Sequence, residues 1–157
     1  MMPSAHFFSG VSIFAFMGIF GLVPRNLSYL SLLVLCSIIP DTDVVLSSMH
    51  REQITHSLAF WMLISIVAVA ASPSAWIVIP PFLLHLFLDT LDWGVMIMYP
   101  FSRKKYGLKL AGKGTEVKSE SLSLYVKEYL SRPILLYAEI GLMVLSLILL
   151  VSVGQCS

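Results

Sequence analysis

Charge is scarce in this sequence. Asp, Glu, Lys and Arg make up 12% of the 157 residues, about half the roughly 25% usual in soluble domains. The scarcity is also uneven, because residues 7–23, 27–40, 57–84 and 140–154 carry no charged side chain at all. Hydrophobic residues reach 57% and the mean hydropathy is +0.86. A soluble core of this size cannot hide so much unbroken apolar surface, which excludes an ordinary water-soluble domain and leaves a bilayer as the expected solvent.

Cysteine is scarce too. Only Cys36, inside an apolar run, and Cys156, near the end of the chain, are present. Their placement excludes a disulfide framework, and the lack of any C-x-x-C pair excludes a thiolate zinc or redox motif. Residues 1–6 contain no Lys or Arg and so lack the basic region that opens a cleavable signal peptide; residues 7–23 are therefore read as a retained first span. No internal repeat occurs, and the net charge of +1 gives no nucleic-acid signal.

What is present is a series of apolar helices. A span needs about 20 apolar residues, with a range of roughly 17–25. Helices are expected at 3–23, 27–39, 55–71, 75–91 and 133–153. The second is too short to cross alone, so it is either re-entrant or extended by its flanks. The expected fold is all-α, a polytopic membrane bundle of about four to five hydrophobic helices. It forms a single membrane-embedded domain over residues 1–157. Residues 3–102 are its helical core, 103–132 a basic loop with an amphipathic segment at 119–130, and 133–153 the last span. If the chain crosses at each helix, Arg25 lies on one side and the other nine Lys and Arg on the opposite side. The positive-inside rule makes that basic side cytoplasmic, with the N-terminus inside and the C-terminus outside.

The histidines are His6, His50, His56 and His85, and the acids near helix ends are Asp41, Asp43, Asp89 and Asp92. On this map all eight fall on the basic side, from four different helices. His85 and Asp89 stand four apart and share one helical face, so both can reach one ion; Asp92, seven from His85, lies on that face as well. Ionisable groups within spans are costly and face a cavity or a partner. A mixed imidazole and carboxylate set suits zinc, and admits manganese or iron. Such an ion lowers the pKa of a water it holds to about 7 and supplies hydroxide at neutral pH.

Each residue also has a simpler reading. A single interfacial His is commonly just a polar group at headgroup level. Asp41 and Asp43 suit a turn after Pro40, Asp92 suits a helix end, and Arg51 with Glu52 suits a solvated surface pair. The eight together, on one side, fit a site better than eight such accidents.

In order along the chain stand His6, the run Ile39-Pro40-Asp41-Thr42-Asp43, His50-Arg51 with Thr55-His56-Ser57, and His85-Leu86-Phe87-Leu88-Asp89-Thr90-Leu91. Trp93-Gly94-Val95 and Tyr99-Pro100-Phe101-Ser102 follow. This ordered set, covering residues 6–102, resembles the YdjM-type family of inner-membrane proteins. Members are regarded as metal-dependent hydrolases and also described as LexA-binding, with a distant similarity to zinc-dependent phospholipase C and the single-strand-specific nucleases. The resemblance implies an all-helical site in which His6, Asp41 or Asp43, His56, His85 and Asp89 ligate metal directly, with His50 as the next candidate. The soluble relatives use further His residues and a Glu for three metals, whereas this chain has no His after His85. Glu139 either substitutes in part or is a snorkelling or helix-packing Glu, and one or two metal ions are expected.

The expected function is hydrolysis of a phosphoester, such as a phospholipid, by water activated on a zinc-type ion. Asp41 or Asp43 would bridge two metals and the other act as general base or orient a ligand His, Arg51 would contact a substrate phosphate, and the basic 103–118 stretch would hold anionic lipid headgroups. The rival expectation is a non-catalytic membrane protein whose structural metal site supports docking of a soluble regulatory partner. A metal or proton transporter fits less well, because the short helices lack a second set of intramembrane acids.

Overall fold

The computed structural model describes residues 3–42, 54–92, 94–107 and 130–155. Among these the chain is all-helical, with five α-helices and two short 3₁₀ segments. We number the helices α1 (Pro3–Ile19), α2 (Leu27–Ile38), α3 (Leu58–Ala71), α4 (Ile79–Asp92) and α5 (Pro133–Gln155). The 3₁₀ segments extend α2 as Ile39–Asp41 and lead into α4 as Pro73–Val78.

Local chemistry explains where the helices stop. The first helix, expected to reach residue 23, ends at Ile19. Gly21 takes φ 66°, and Leu22 N–H donates to the Met17 carbonyl at 2.8 Å while Gly21 N–H donates to Gly18 at 3.1 Å. That pair of bonds around a left-handed glycine closes the helix, and Pro24 prevents its resumption. Asn26 caps α2 by accepting from Tyr29 N–H, and Ser57 caps α3 by accepting from Phe60 N–H. The third helix therefore begins at Leu58, and Thr55 and His56 lie in the turn before it. Pro40 and Pro73 sit at the starts of the two 3₁₀ segments, where a missing N–H is tolerated.

The helices alternate in direction. Along α1, Phe14 and Met17 pack with Leu33 of α2 and Ile77, while His6 meets Asp41 at the other end, so α1 and α2 are antiparallel. The last helix runs parallel to α1. Ser4 donates to Glu139 at 3.1 Å, Ser12 and Ser146 share a 2.8 Å hydrogen bond, and Arg25 donates to the carbonyls of Gly18 and Val153. Helix α4 lies against α1, α2 and α3, with Trp61 stacked on Phe82, ring centroids 4.0 Å apart. After α4, Gly94 (φ 72°) turns the chain into a small loop in which Val95 and Tyr106 exchange two backbone bonds of 2.9 Å. Ile97 of that loop accepts from Leu58 N–H at 2.9 Å, which ties it to the start of α3.

Two helical stretches are long and apolar enough to cross a bilayer, Pro73–Leu91 with 19 residues and Pro133–Gly154 with 22. Ser4–Ile19, Leu27–Asp41 and Leu58–Ala71 are apolar but shorter. The expectation of four to five full spans thus meets two helices of full length and three that fall short of the roughly 30 Å hydrocarbon thickness at 1.5 Å per residue. The surface is apolar all the same. Met62, Leu63, Ile66 and Val67 of α3 and Tyr137, Leu147, Ile148 and Val151 of α5 are exposed, an arrangement that water penalises and lipid does not. The amphipathic segment expected at 119–130 lies almost wholly outside the described residues, as does most of the basic loop.

Candidate metal centre

Antiparallel order brings the start of α1, the end of α2, the start of α3 and the end of α4 to one end of the bundle. His6 lies in the first turns of α1. Asp41 closes the 3₁₀ extension of α2, where Thr42 Oγ1 donates back to Ile39 at 2.7 Å. His56 sits in the turn before α3, held by Ser57 Oγ donating to Ile54 at 2.8 Å and by Trp61 Nε1 donating to the Thr55 carbonyl at 2.6 Å. His85 and Asp89 project from one face of α4, four residues apart.

These five side chains converge, and all are buried. The Nε2 atom of His6 is 3.5 Å from Asp41 Oδ2 and 3.3 Å from Asp89 Oδ1. His56 Nε2 is 3.6 Å from Asp41 Oδ1 and 3.3 Å from Asp89 Oδ2. His85 Nε2 is 3.8 Å from Asp41 Oδ1 and 3.4 Å from Asp89 Oδ2. Each carboxylate thus turns one oxygen toward His6 and the other toward the pair His56 and His85. The ligand atoms of His6, Asp41, His85 and Asp89 lie within 4.8 Å of one another.

The spacing suits a metal ion better than a set of ion pairs. Charge-assisted N–H···O bonds close to about 2.7–2.9 Å, and none of these six contacts does. Donors held about 2.0–2.2 Å from one tetrahedral ion stand about 3.4 Å apart, and the six contacts run from 3.3 to 3.8 Å. Among the described residues, both ring nitrogens of His6, both oxygens of Asp41 and Nε2 of His85 are buried with no hydrogen-bond partner. Each such group costs about 1–3 kcal/mol if nothing satisfies it. With neutral imidazoles the two carboxylates carry two negative charges, which a divalent cation offsets. The donor chemistry, three imidazoles and two carboxylates without sulfur, fits a divalent metal ion.

One imidazole is visibly prepared for this. His85 Nδ1 lies 2.7 Å from the Ser37 carbonyl. A carbonyl only accepts, so Nδ1 carries the proton and Nε2 presents its lone pair to the centre. His56 Nδ1 has Thr55 Oγ1 at 3.2 Å. The rings of His6 and His85 stack with centroids 3.9 Å apart.

Other expected site residues stand elsewhere. Asp43, His50 and Arg51 lie outside the described residues, and so does the side chain of Asp92. Glu139 accepts from Ser4 Oγ at the start of α1, a helix-packing contact. Sequence reasoning missed Ser37, whose carbonyl orients His85, and Gly10, where α1 and α2 touch. The first acts through a carbonyl that every residue has and the second through an interhelical distance, so neither leaves a signal in the sequence.

The YdjM inner membrane protein description matches residues 1–155. The chain belongs to this family. The match extends past residue 102, where the resemblance in the sequence ends, and takes in the last helix. No curated protein and no solved structure matches the chain. As a member of an inner-membrane family with two helices of spanning length, it is a membrane protein, and its buried His and Asp group is able to hold a metal ion.

Proposed function

We propose that this YdjM-family protein is a membrane-embedded, metal-dependent hydrolase that cleaves a phosphoester, with a phospholipid as the first substrate class to test. The observation that carries the reading is the convergence of His6, Asp41, His56, His85 and Asp89 on one point, with both ring nitrogens of His6, both oxygens of Asp41 and Nε2 of His85 buried without a hydrogen-bond partner. A divalent ion, zinc first, would supply acidified water and offset charge on phosphate oxygens. One or two ions suit the way Asp41 and Asp89 divide their oxygens between His6 and the other two imidazoles. The protein's own part is to hold the imidazoles as neutral donors, as Ser37 does for His85, and to exclude bulk water by burial. Asp43 is proposed as general base or as a support for a ligand, and Arg51 as the contact to a substrate phosphate.

All five helices are proposed to sit in the inner membrane with the site end toward the cytoplasm, following the distribution of Lys and Arg. The basic loop would then meet anionic headgroups beside the site. Asp89→Asn tests the chemistry: it removes a charge that three imidazoles face while keeping shape. Phosphoester hydrolysis by the purified protein in lipid nanodiscs should fall by at least about 100-fold with the fold intact, because loss of even an outer supporting group costs 10–100-fold. Unchanged hydrolysis contradicts the proposal.

One observation favours a second reading. Of the five ligand candidates the most exposed is Asp41 at 6%, and a closed site is the mark of a structural metal. On that reading the protein is non-catalytic and docks a soluble regulatory partner. Metal bound with full occupancy but no hydrolysis of any phosphoester would select it.

A further inference from the structure

Helix α1 brings a single residue, His6, to the metal centre, and four residues further on is Gly10. The two share a face of the helix. That face meets α2 at unusually short range. A Cβ placed on Gly10 would stand 2.7 Å from Val34 Cα, 2.9 Å from Ser37 Oγ and 3.0 Å from the Leu33 carbonyl oxygen. Two of these three atoms are backbone, so no rotamer change relieves the clash. Ordinary carbon contacts lie at about 3.5–4.0 Å, and the helices would have to separate by on the order of 1 Å. Small residues serve this purpose in membrane helix pairs, where close approach replaces the missing hydrophobic drive. In α5, by contrast, Gly141 and Gly154 would meet nothing within 4 Å.

The far side of this crossing is also connected to the site. Ser37 belongs to the patch that Gly10 touches, its carbonyl fixes His85 at 2.7 Å, and Asp41 follows one turn later. Asp41, Ser37 and His85 therefore travel with α2 and α4, and His6 travels with α1. Metal ligands tolerate about ±0.2 Å in bond length, so a separation near 1 Å at Gly10 removes His6 from the set. We propose that Gly10 is a positioning residue for the metal centre, setting the reach of the His6 imidazole to Asp41, Asp89 and His85 through the closeness of the α1–α2 crossing. The inference rests on the metal-centre reading above.

The test is a double-mutant cycle on the full chain in detergent, with Zn²⁺ affinity read by chelator competition and Co²⁺ absorption as the ligand-field signature. Gly10→Ala should weaken Zn²⁺ binding at least about tenfold with helix content unchanged, and Gly141→Ala should not. In a His6→Ala background Gly10→Ala should change the affinity less than about twofold, because His6 is all that α1 brings to the centre. The Co²⁺ spectrum of Gly10→Ala should resemble that of His6→Ala. Wild-type affinity in Gly10→Ala, or the same loss in both backgrounds, overturns the proposal. Should Gly10→Ala not fold, Ser37→Thr thickens the same crossing by one methyl and is read identically in both backgrounds. A wild-type chain that binds no metal overturns the metal-centre reading, and this inference with it.

Discussion

His85 Nδ1 donates to the main-chain carbonyl of Ser37 at 2.7 Å, across 48 residues of sequence. The bond orients an imidazole toward two carboxylates and fixes which nitrogen faces them. It also joins α4 to α2 through an atom that no side-chain substitution removes.

His85→Asn separates the two duties of that residue. An Asn amide N–H can replace Nδ1–H toward Ser37, but nothing replaces Nε2. Metal affinity should fall more than about 100-fold, beyond the 10–100-fold typical of supporting groups. His85→Ala should lose the affinity equally and lower the thermal midpoint further, since it also leaves the Ser37 carbonyl unmet, at about 1–3 kcal/mol. Chelator competition and thermal unfolding in detergent check the pair.

Chelation should destabilise the wild-type protein. A ligand that binds only the folded state at 100 times its Kd adds about 2.7 kcal/mol, and the apo site retains two carboxylates facing one another's imidazoles. The thermal midpoint should drop on adding EDTA and return with Zn²⁺. Asp89→Asn should show no such response.

The interface between α1 and α5 supplies a contrast. Ser146 Oγ has Ser12 Oγ and the carbonyls of Phe8 and Leu142 at 2.7–2.8 Å, and its one proton goes to a single acceptor at a time. Hydrogen bonds between membrane helices average about 0.6 kcal/mol. Ser146→Ala should therefore cost about that much stability and leave metal content unchanged.

Gly94→Ala should be costlier. Its φ of 72° lies where a side chain costs about 1–2 kcal/mol, and a Cβ would stand 3.1 Å from the Tyr106 carbonyl oxygen. The thermal midpoint should fall, whereas Gly141→Ala, with open space around it, should be neutral or slightly stabilising. Parallel melts of the two variants decide it.

Much of the site is legible in the sequence because alternating helices sort residues by end. His6 opens the first helix, Asp41 follows the second, His56 precedes the third and His85–Asp89 closes the fourth, so a count of crossings puts them together. The His85–Asp89 spacing adds a shared face. What the pattern does not carry is interhelical distance. Gly10 reads as one more small residue in an apolar run, and only the proximity of Val34 and Leu33 gives it meaning. Ser37 is invisible for a different reason, since its contribution is a carbonyl that every residue has. The early end of α1 was written in Gly21 and Pro24, yet the apolar run continuing to Val23 masks it. Glu139, readable either as a ligand or as a packing residue, contacts Ser4.

His6, Asp41, His56, His85 and Asp89 are proposed to build one metal centre. Elemental mass spectrometry of the detergent-purified chain, wild type beside His85→Ala/Asp89→Ala, tests it most directly. About one or two zinc, manganese or iron ions per chain are expected in the wild type, and their loss in the double variant. A wild-type protein that holds no metal even after reconstitution would contradict it.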